Sequence, residues 1–326
     1  MSFAVNFADI QSAAKRIADR IHRTPVLRCA HLDALANRQL HFKCENFQRT
    51  GSFKFRGACN AVMSLTNDEA RNGVVTHSSG NHAQALALAA KMRGITAYVV
   101  MPTDSARTKC AAVEGYGGQI IYCEPTLVAR ETTAREVLDR TRGTFIPPYD
   151  HPMVIAGQGT IALELLEQVQ SQLHTLDAII VPLGGGGLIS GIAIAARALQ
   201  PDIRIIGAEP ETVCDAAQSK RLGARQPATG AVTIADGLRT ALGDLTWPVV
   251  RDIVDSVVTV SESEIKSALR LVYERMKLVI EPSSAVGVAA AMGPLRDRKD
   301  FQSAGVILCG GNIDLDSLSS LVKASR

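Results

Sequence analysis

A run of four glycines, Gly184, Gly185, Gly186 and Gly187, is the strongest chemical signal in this sequence. It follows a predicted strand at 178–182 and precedes a predicted helix at 188–199. Because glycine has no Cβ, successive backbone N–H groups can converge on one anion, and the positive end of the helix dipole adds to the attraction. The run therefore predicts a phosphate-binding loop. A tight turn that only allows close packing of the strand and the helix is the alternative.

A dinucleotide-binding loop is a rival interpretation of the same glycines. The spacing G-x-G-x-x-G fails here, because Ile189 stands at the position of the third glycine. Glu209, at the end of the next predicted strand, keeps this rival open, since an acid near that point binds the ribose in such sites.

Lys54 lies between Phe53 and Phe55, an unusual place for a surface charge. An apolar environment lowers the pKa of an amine and leaves more of it neutral and nucleophilic. Such a lysine can form an imine with an aldehyde cofactor, and Phe53 can cover the cofactor ring. A lysine whose stem packs on the surface is the alternative. We expect a helix to begin near Ser52, whose hydroxyl is a plausible N-cap.

A polar turn supplies the third signal, with Ser78, Ser79, Gly80, Asn81 and His82 between a predicted strand and a predicted helix. Backbone amides and hydroxyls at such a turn can hold a carboxylate. A capped helix start is the alternative, and His82 alone is typical of a structural histidine.

Predicted strands and helices alternate along the chain, which indicates parallel sheets with crossover helices. Further strands are predicted at 40–43, 73–76, 97–101, 119–122, 203–208 and 305–308. Further helices are predicted at 7–21, 83–92, 108–114, 129–141, 159–173, 262–277 and 284–292. The proline-bearing segment 145–152 predicts a crossing between lobes. We expect a large domain of residues 1–72 and 150–326 and a small mobile domain of residues 73–149.

Composition excludes several classes of protein. The 326 residues are 46% hydrophobic and 21% charged, with a net charge of +3, so a sizeable core is expected and a nucleic-acid partner is not. We find neither an apolar run of about 18 residues nor a signal peptide, and therefore expect no membrane segment. The seven cysteines are scattered, which favours reduced thiols in the cytoplasm over a zinc cluster.

These segments together resemble the fold type II pyridoxal-phosphate enzymes, and most closely the serine racemase and serine/threonine dehydratase group, the eukaryotic serine racemases in particular. The matching segments span almost the whole chain and include 24–27, 42–48, 52–57, 76–82, 122–125, 155–160, 184–187, 233–237, 275–277, 281–282 and 310–312. The resemblance implies two parallel-rich α/β/α domains of the tryptophan synthase β type, with pyridoxal 5′-phosphate between them. It also implies a cytoplasmic homodimer that acts on a small amino acid.

The resemblance assigns roles to individual residues. Lys54 would be the imine-forming lysine and the base on one face of the cofactor, and Ser79 the acid or base on the opposite face. The cofactor would be bound by Phe53, Lys54, Asn81, Gly184, Gly185, Gly186, Gly187 and Cys309. The substrate would be bound by Ser78, Ser79, Asn81, His82, Arg130 and Tyr149.

Two accessory sites follow from the same resemblance. Glu209, Asp215 and the carbonyl of Val213 match a magnesium or calcium site, for which such oxygen ligands are suitable. An acidic loop without a metal is the alternative. ATP activation is implied only in part, through the matching residues Arg49, Thr50, Tyr116, Lys277 and Asn312, while Cys110 stands where a phosphate-binding lysine is expected.

Two departures concern the substrate and the ring nitrogen of the cofactor. Cys309 stands where most serine racemases carry serine, and both are weak hydrogen-bond donors. The loop 147–152 reads Pro-Pro-Tyr-Asp-His-Pro, as in yeast-type racemases and hydroxyaspartate dehydratases. The resemblance as a whole implies a serine racemase that also dehydrates serine to pyruvate and ammonia, an isomerase and a lyase, while this loop leaves the identity of the amino acid open. The open alternatives are a threonine/serine or threo-3-hydroxyaspartate dehydratase without significant racemisation, an aspartate racemase, and a non-catalytic sensor of a phosphate ligand.

Overall fold

The computed structural model describes residues 3–105 and 107–322, which form two β-sheets with helices around them. The strands are β1 (Val26–Leu27), β2 (Gln39–Cys44), β3 (Val74–His77), β4 (Ala97–Pro102), β5 (Gln119–Cys123), β6 (Thr144–Phe145), β7 (Ala178–Pro182), β8 (Arg204–Pro210), β9 (Ser256–Val260) and β10 (Ser303–Leu308). The helices are α1 (Phe7–Ile17), α2 (Ala30–Ala36), α3 (Lys54–Ser64), α4 (Asn67–Ala70), α5 (Asn81–Arg93), α6 (Arg107–Gly115), α7 (Leu127–Thr141), α8 (Pro152–Ser171), α9 (Gly187–Leu199), α10 (Asp215–Leu222), α11 (Thr246–Asp252), α12 (Glu262–Leu271), α13 (Pro282–Met292) and α14 (Leu315–Val322).

The larger sheet has six strands in the order β1-β2-β10-β7-β8-β9. Only the β1–β2 pair is antiparallel, and the other pairs are parallel. The smaller sheet has four parallel strands in the order β5-β4-β3-β6. Parallel strands with helices on both faces are rich in apolar residues, and the five residues of β7 are all buried.

Each face of the larger sheet is covered by its own apolar layer. One layer joins α1, α8 and α9 to the sheet through residues such as Ile10, Ile155 and Ile192. The opposite layer includes Ile265 of α12 and Val286 of α13. These layers fix the carboxyl ends of the parallel strands, where the predicted site residues lie.

The six-stranded sheet and its helices form the larger lobe, and the four-stranded sheet with α5, α6 and α7 forms the smaller lobe. Helix α3, which carries Lys54, contacts both. Its residues Phe55 and Val62 share a core with Val74 of β3 and Leu86 of α5. On its other side, Gly157 of α8 approaches so closely that a Cβ there would lie 2.6 Å from the carbonyl oxygen of Arg56. The position of Lys54 is therefore determined by both lobes.

A buried network of ion pairs fixes α3 to the larger lobe. The Arg56 guanidinium donates to Glu45 at 2.8 Å and to Glu164 of α8 at 2.7 Å. Lys43 of β2 pairs with the same Glu164 carboxylate at 2.7 Å. Arg56, Glu45 and Lys43 are fully buried, so each charge depends on its partners for compensation.

The structure corrects several predicted boundaries. Ser52 is not the N-cap of α3, because its backbone is extended and bridges Gly310, and the helix begins at Lys54. Helix α8 begins at Pro152, well before the predicted start at 159, since proline is well accommodated in the first turn of a helix. The segment predicted as one helix at 262–277 is α12 followed by a π-helical turn at 272–276.

Other differences are smaller. Helix α1 ends at Ile17 rather than at residue 21, and the predicted strand and helix around 178–199 are confirmed within a residue. In the part of the chain that the structure describes, no helix is both long and apolar enough to cross a membrane.

Candidate active site

Lys54 occupies the first turn of α3, and the backbone just before it is anchored to the end of β10. The N–H of Phe53 donates to the carbonyl of Cys309 at 3.0 Å. The Lys54 amine donates to the carbonyl of Pro148 at 2.6 Å and lies 5.1 Å from the centroid of the Phe53 ring. Burial lowers the pKa of Lys54 to about 8, although Cys309 and Glu281 act in the opposite direction. A substantial fraction of this amine is therefore neutral near physiological pH.

Cys309 and Glu281 lie beside Lys54. The Cys309 thiol is buried, 3.3 Å from the Ser284 hydroxyl and 3.9 Å from a Glu281 carboxylate oxygen. Burial raises the pKa of Cys309, so the group is a neutral thiol. Burial also raises the pKa of Glu281 to about 7, and the nearby Asp236 carboxylate adds to that rise. The sulfur is thus a weak, uncharged donor in a pocket that also contains an easily protonated carboxyl group.

The polar turn at 78–82 joins β3 to α5 and faces the larger lobe. The Asn81 amide donates to both oxygens of Glu281, at 2.9 and 3.0 Å. Its carbonyl oxygen accepts from the Asn312 amide at 2.8 Å. Ser78 accepts from the N–H of Gly80 at 3.3 Å, and Ser79 lies between them, partly exposed. The structure therefore brings Asn81 together with Lys54 and Cys309 through Glu281.

His82 begins α5 as a buried neutral side chain. Its Nε2 is 3.0 Å from the carbonyl of Ile146, and burial lowers its pKa to about 3. The buried, neutral His82 side chain therefore has a structural role. Its backbone N–H lies in the first turn of α5. Arg130 lies in the first turn of α7 and acts on the pKa values of Cys123 and His77, which belong to the smaller lobe.

The glycine run forms a tight turn between β7 and α9. Gly186 has a φ of +87°, a backbone conformation that favours glycine. Within the described residues, none of the four glycine N–H groups donates a hydrogen bond. The start of α9 adds the positive end of its dipole at the same place. Unpaired backbone donors at the start of a helix fit a phosphate group.

Tyr149 closes one side of the glycine run. A Cβ on Gly185 would lie 2.6 Å from the ring carbons of Tyr149, so only glycine permits this contact. The next residue, Asp150, accepts hydrogen bonds from the N–H groups of Leu245 and Thr246 at 3.0 and 3.3 Å. Asp150 thereby ties the proline-rich loop to the start of α11, which was not anticipated from the sequence.

The predicted metal residues lie together after β8. Both Glu209 oxygens accept N–H groups from the first turn of α10, and one Asp215 oxygen is buried without a partner in the described structure. Burial raises the pKa of Glu209 to about 8 and that of Asp215 to about 6, and Asp215 itself adds to the rise at Glu209. No group of three or more His, Cys, Asp or Glu side chains within the described residues is arranged around a metal position. The proposed ligand set contains two such side chains and one carbonyl.

The predicted nucleotide residues are only partly brought together. Asn312 donates to the carbonyl of Thr50 at 2.7 Å, and Thr50 has a φ of +58°. The Lys277 amine instead donates to the carbonyl of Glu274 in its own turn. Tyr116, at the end of α6, packs against the core of the smaller lobe.

Sequence reasoning assigned no role to Glu281 or Ser284. Both lie at the start of α13, and a glutamate before a proline is a common helix start with no chemical signature of its own. Ser284 donates to the carbonyl of Gly310 at 2.6 Å and accepts from its N–H at 2.7 Å. Only the folded chain shows that this helix start faces Lys54 and Cys309.

Comparison with known proteins relates this site to a family. The sequence profile of the family described as pyridoxal-phosphate dependent enzyme matches residues 17–310. Serine racemase of Arabidopsis thaliana is 51% identical over 99% of this chain and 98% of its own length. Among solved structures, maize serine racemase has a TM-score of 0.94 and 46% identity, covering 98% of this chain and 97% of its own. The structure of serine racemase from Dictyostelium discoideum has a TM-score of 0.91 and 48% identity, covering 96% of this chain and 100% of its own.

Proposed function

Because the chain belongs to the family of pyridoxal-phosphate dependent enzymes, we propose that it interconverts L-serine and D-serine and also dehydrates serine to pyruvate and ammonia. The similarity to serine racemases over nearly the whole length is the single observation that carries this proposal. The predicted family and the fold type II architecture are confirmed by the same matches.

The residues of the site fit the cofactor. The unpaired N–H groups of Gly184, Gly185, Gly186 and Gly187 would hold its phosphate. Cys309 would meet the ring nitrogen, Asn81 the ring oxygen, and Phe53 one face of the ring. When bound, pyridoxal phosphate supplies an aldehyde that bonds to an amine and a ring that accepts electrons from the α carbon.

Lys54 and Ser79 would move the protons. With a pKa of about 8, the Lys54 amine is basic enough to remove the α proton and is partly neutral when it must do so. Ser79 lies on the opposite lobe, in the turn after β3, and would return a proton to the other face. Proton return from Ser79 gives the mirror-image amino acid, whereas loss of the β hydroxyl gives the dehydrated product.

The substrate would contact both lobes. Backbone N–H groups in the turn that contains Ser78, Ser79, Asn81 and His82 would bind its carboxylate at the start of α5. Arg130 and Tyr149 would approach its side chain from the smaller lobe and from the proline-rich loop. Lys54 and the glycine run come from the larger lobe, so the position of one lobe relative to the other determines the site.

Three accessory features belong to the same proposal. Glu209, Asp215 and the carbonyl of Val213 would bind Mg²⁺ or Ca²⁺, which would neutralise two closely spaced buried carboxylates. Thr50 and Asn312, with Arg49, Tyr116 and Lys277, would receive a nucleotide. The protein would be a cytoplasmic homodimer.

A panel of amino acids tests the function. The purified protein with pyridoxal phosphate is incubated with L-serine, L-threonine, threo-3-hydroxyaspartate and L- or D-aspartate, and keto acid and chirality are measured for each. We expect D-serine and pyruvate from L-serine. Keto acid without any D-serine would show that the protein is a dehydratase and not a racemase. Racemisation confined to aspartate would show that it is an aspartate racemase.

A further inference from the structure

An ion pair connects the two lobes at the edge of the candidate site. The Lys109 amine, on α6 of the smaller lobe, donates to the Asp236 carboxylate at 2.7 Å. Asp236 belongs to the larger lobe, in the short helical turn 236–238. The side chains of Lys109 and Asp236 are 29% and 47% exposed, so the contact lies at the surface of the cleft and not in its core.

Asp236 is attached directly to the parts of the site that would hold the cofactor. The next residue, Gly237, donates its N–H to the Ser283 hydroxyl at 3.1 Å, at the start of α13. The residue after it, Leu238, packs so closely on Gly184 that a Cβ there would lie 3.0 Å from the Leu238 Cα. A displacement of Asp236 would therefore also shift the backbone that contacts the glycine run and the start of α13, next to Glu281.

Lys109 is attached to the half of the site that would hold the substrate. Helix α6 follows β4, and β4 pairs with all four residues of β3. Strand β3 ends at the turn that contains Ser78, Ser79 and Asn81. Asp236 raises the pKa of the buried Glu281, and Lys109 lowers it. The ion pair therefore lies close to the contact between Asn81 of the smaller lobe and Glu281 of the larger lobe.

We propose that the Lys109–Asp236 ion pair holds the smaller lobe in the position that encloses the substrate, so that Lys109 controls substrate affinity without touching the substrate. Lys109 is thus a positioning residue. The inference rests on the proposed function, because a substrate that contacts both lobes is what makes their relative position matter. Loss of an exposed ion pair changes an equilibrium by about twofold to fivefold, and we expect an effect of that size on KM.

Lys109→Met removes the charge and retains much of the apolar stem. We expect the KM for L-serine to rise about twofold to fivefold with kcat within about twofold of the wild type, because only the closed arrangement of the lobes loses a contact. Lys109→Arg retains the charge and restores the wild-type KM. Arg107→Met is the matched control on the same helix, since Arg107 is exposed and makes no ion pair among the described residues.

Ionic strength separates this role from a general structural one. Salt of about 1 M, where the screening length is roughly 3 Å, weakens an exposed pair, so the wild-type KM rises to that of Lys109→Met while the variant stays constant. An unchanged KM in Lys109→Met, or an equal fold-difference at both salt concentrations, would overturn the proposal. Direct contact between Lys109 and a ligand would instead lower kcat and leave Lys109→Arg impaired.

Hydrogen exchange gives a readout that does not depend on catalysis. In the substrate-free protein, peptides that cover Asp236, Gly237 and Leu238 exchange faster in Lys109→Met than in Arg107→Met if the ion pair closes the cleft. If the wild type shows no activity on serine, the proposed function fails while the exchange difference remains. Equal exchange in both variants, with normal activity on serine, would contradict the positioning role of Lys109 and would leave the proposed function supported.

Discussion

At the scale of single residues, the environment of one amine explains why this site can do covalent chemistry. Lys54 is flanked by phenylalanines in sequence and is buried in the structure, where it hydrogen-bonds to a carbonyl and forms no close ion pair among the described residues. Its pKa falls from 10.5 to about 8 because burial outweighs the attraction of Glu281 and Cys309. Near neutral pH a much larger fraction of this amine is neutral and nucleophilic than of an ordinary lysine, although the protonated form still predominates below pH 8.

The lowered pKa of Lys54 predicts how the cofactor-free protein takes up pyridoxal phosphate. Only the neutral amine reacts, so the rate of covalent uptake rises with pH and reaches half its maximum near pH 8. Uptake is followed by absorbance. The same reaction of a small lysine amide is the reference, and the pH midpoint of its rate is that of an ordinary amine. A protein midpoint equal to that of the lysine amide would show that burial does not depress this pKa.

Ser79 is predicted to act on one face only. Ser79→Ala removes the hydroxyl and leaves the backbone N–H groups of the turn, so carboxylate binding is retained. We expect the formation of D-serine from L-serine to fall by about 10²-fold or more, the usual contribution of a positioned acid or base. Dehydration of one enantiomer continues. Chiral chromatography measures the first rate and pyruvate release the second; racemisation at the wild-type rate would refute the role.

At the scale of elements, α3 is positioned by a buried charge network and by two apolar surfaces. The sequence predicts that a helix follows Ser52, but not where it begins, because the pairing of Ser52 with Gly310 joins segments that are far apart in the chain. Local capping preference favoured Ser52 as the N-cap, but the contact with Gly310 keeps Ser52 extended, and the helix begins at Lys54. Pro152 is the reverse case, since a proline that suggests a break is also well suited to the first turn of a helix.

Arg56 is the centre of the charge network and is expected to be essential for stability. Arg56→Met leaves the Glu45 and Glu164 carboxylates without their main partner, which costs about 3–5 kcal/mol in the free energy of unfolding. Urea unfolding measures it, with cofactor removed from both proteins. Arg270→Met is the control, because the Arg270–Glu274 pair is exposed and contributes less than about 1 kcal/mol. A loss as small as that of the control would show that the network does not fix α3.

At the scale of the whole molecule, the alternation of strands and helices was sufficient to predict two parallel sheets. The same pattern did not give strand order, since β10 lies between β2 and β7 and only packing of distant segments determines this. The glycine run and Lys54 were recognisable because their residue types are unusual in their context. Glu281 was not, because its importance comes from Asn81 and Cys309, which are distant in sequence.

The paired carboxylates after β8 predict how a divalent cation affects stability. The pKa values of Asp215 and Glu209 in the folded protein are raised from 3.8 to about 6 and from 4.5 to about 8, so without metal the protein loses stability as the pH rises from about 4 to about 8. At the proposed site Mg²⁺ or Ca²⁺ would bind the deprotonated forms, and we expect it to raise the Tm of chelator-treated protein more at pH 8 than at pH 6. Asp215→Asn should abolish most of this response. An identical Tm shift in the variant would place the cation elsewhere.

The central claim is that Lys54 carries the cofactor, and reduction of the cofactor-bound protein tests it most directly. Borohydride reduces the bond between pyridoxal phosphate and its lysine, and mass spectrometry of a proteolytic digest identifies the labelled residue. We predict one labelled peptide, modified at Lys54, and no label in Lys54→Ala. A label on another lysine, or none in protein that still racemises serine, would contradict the account.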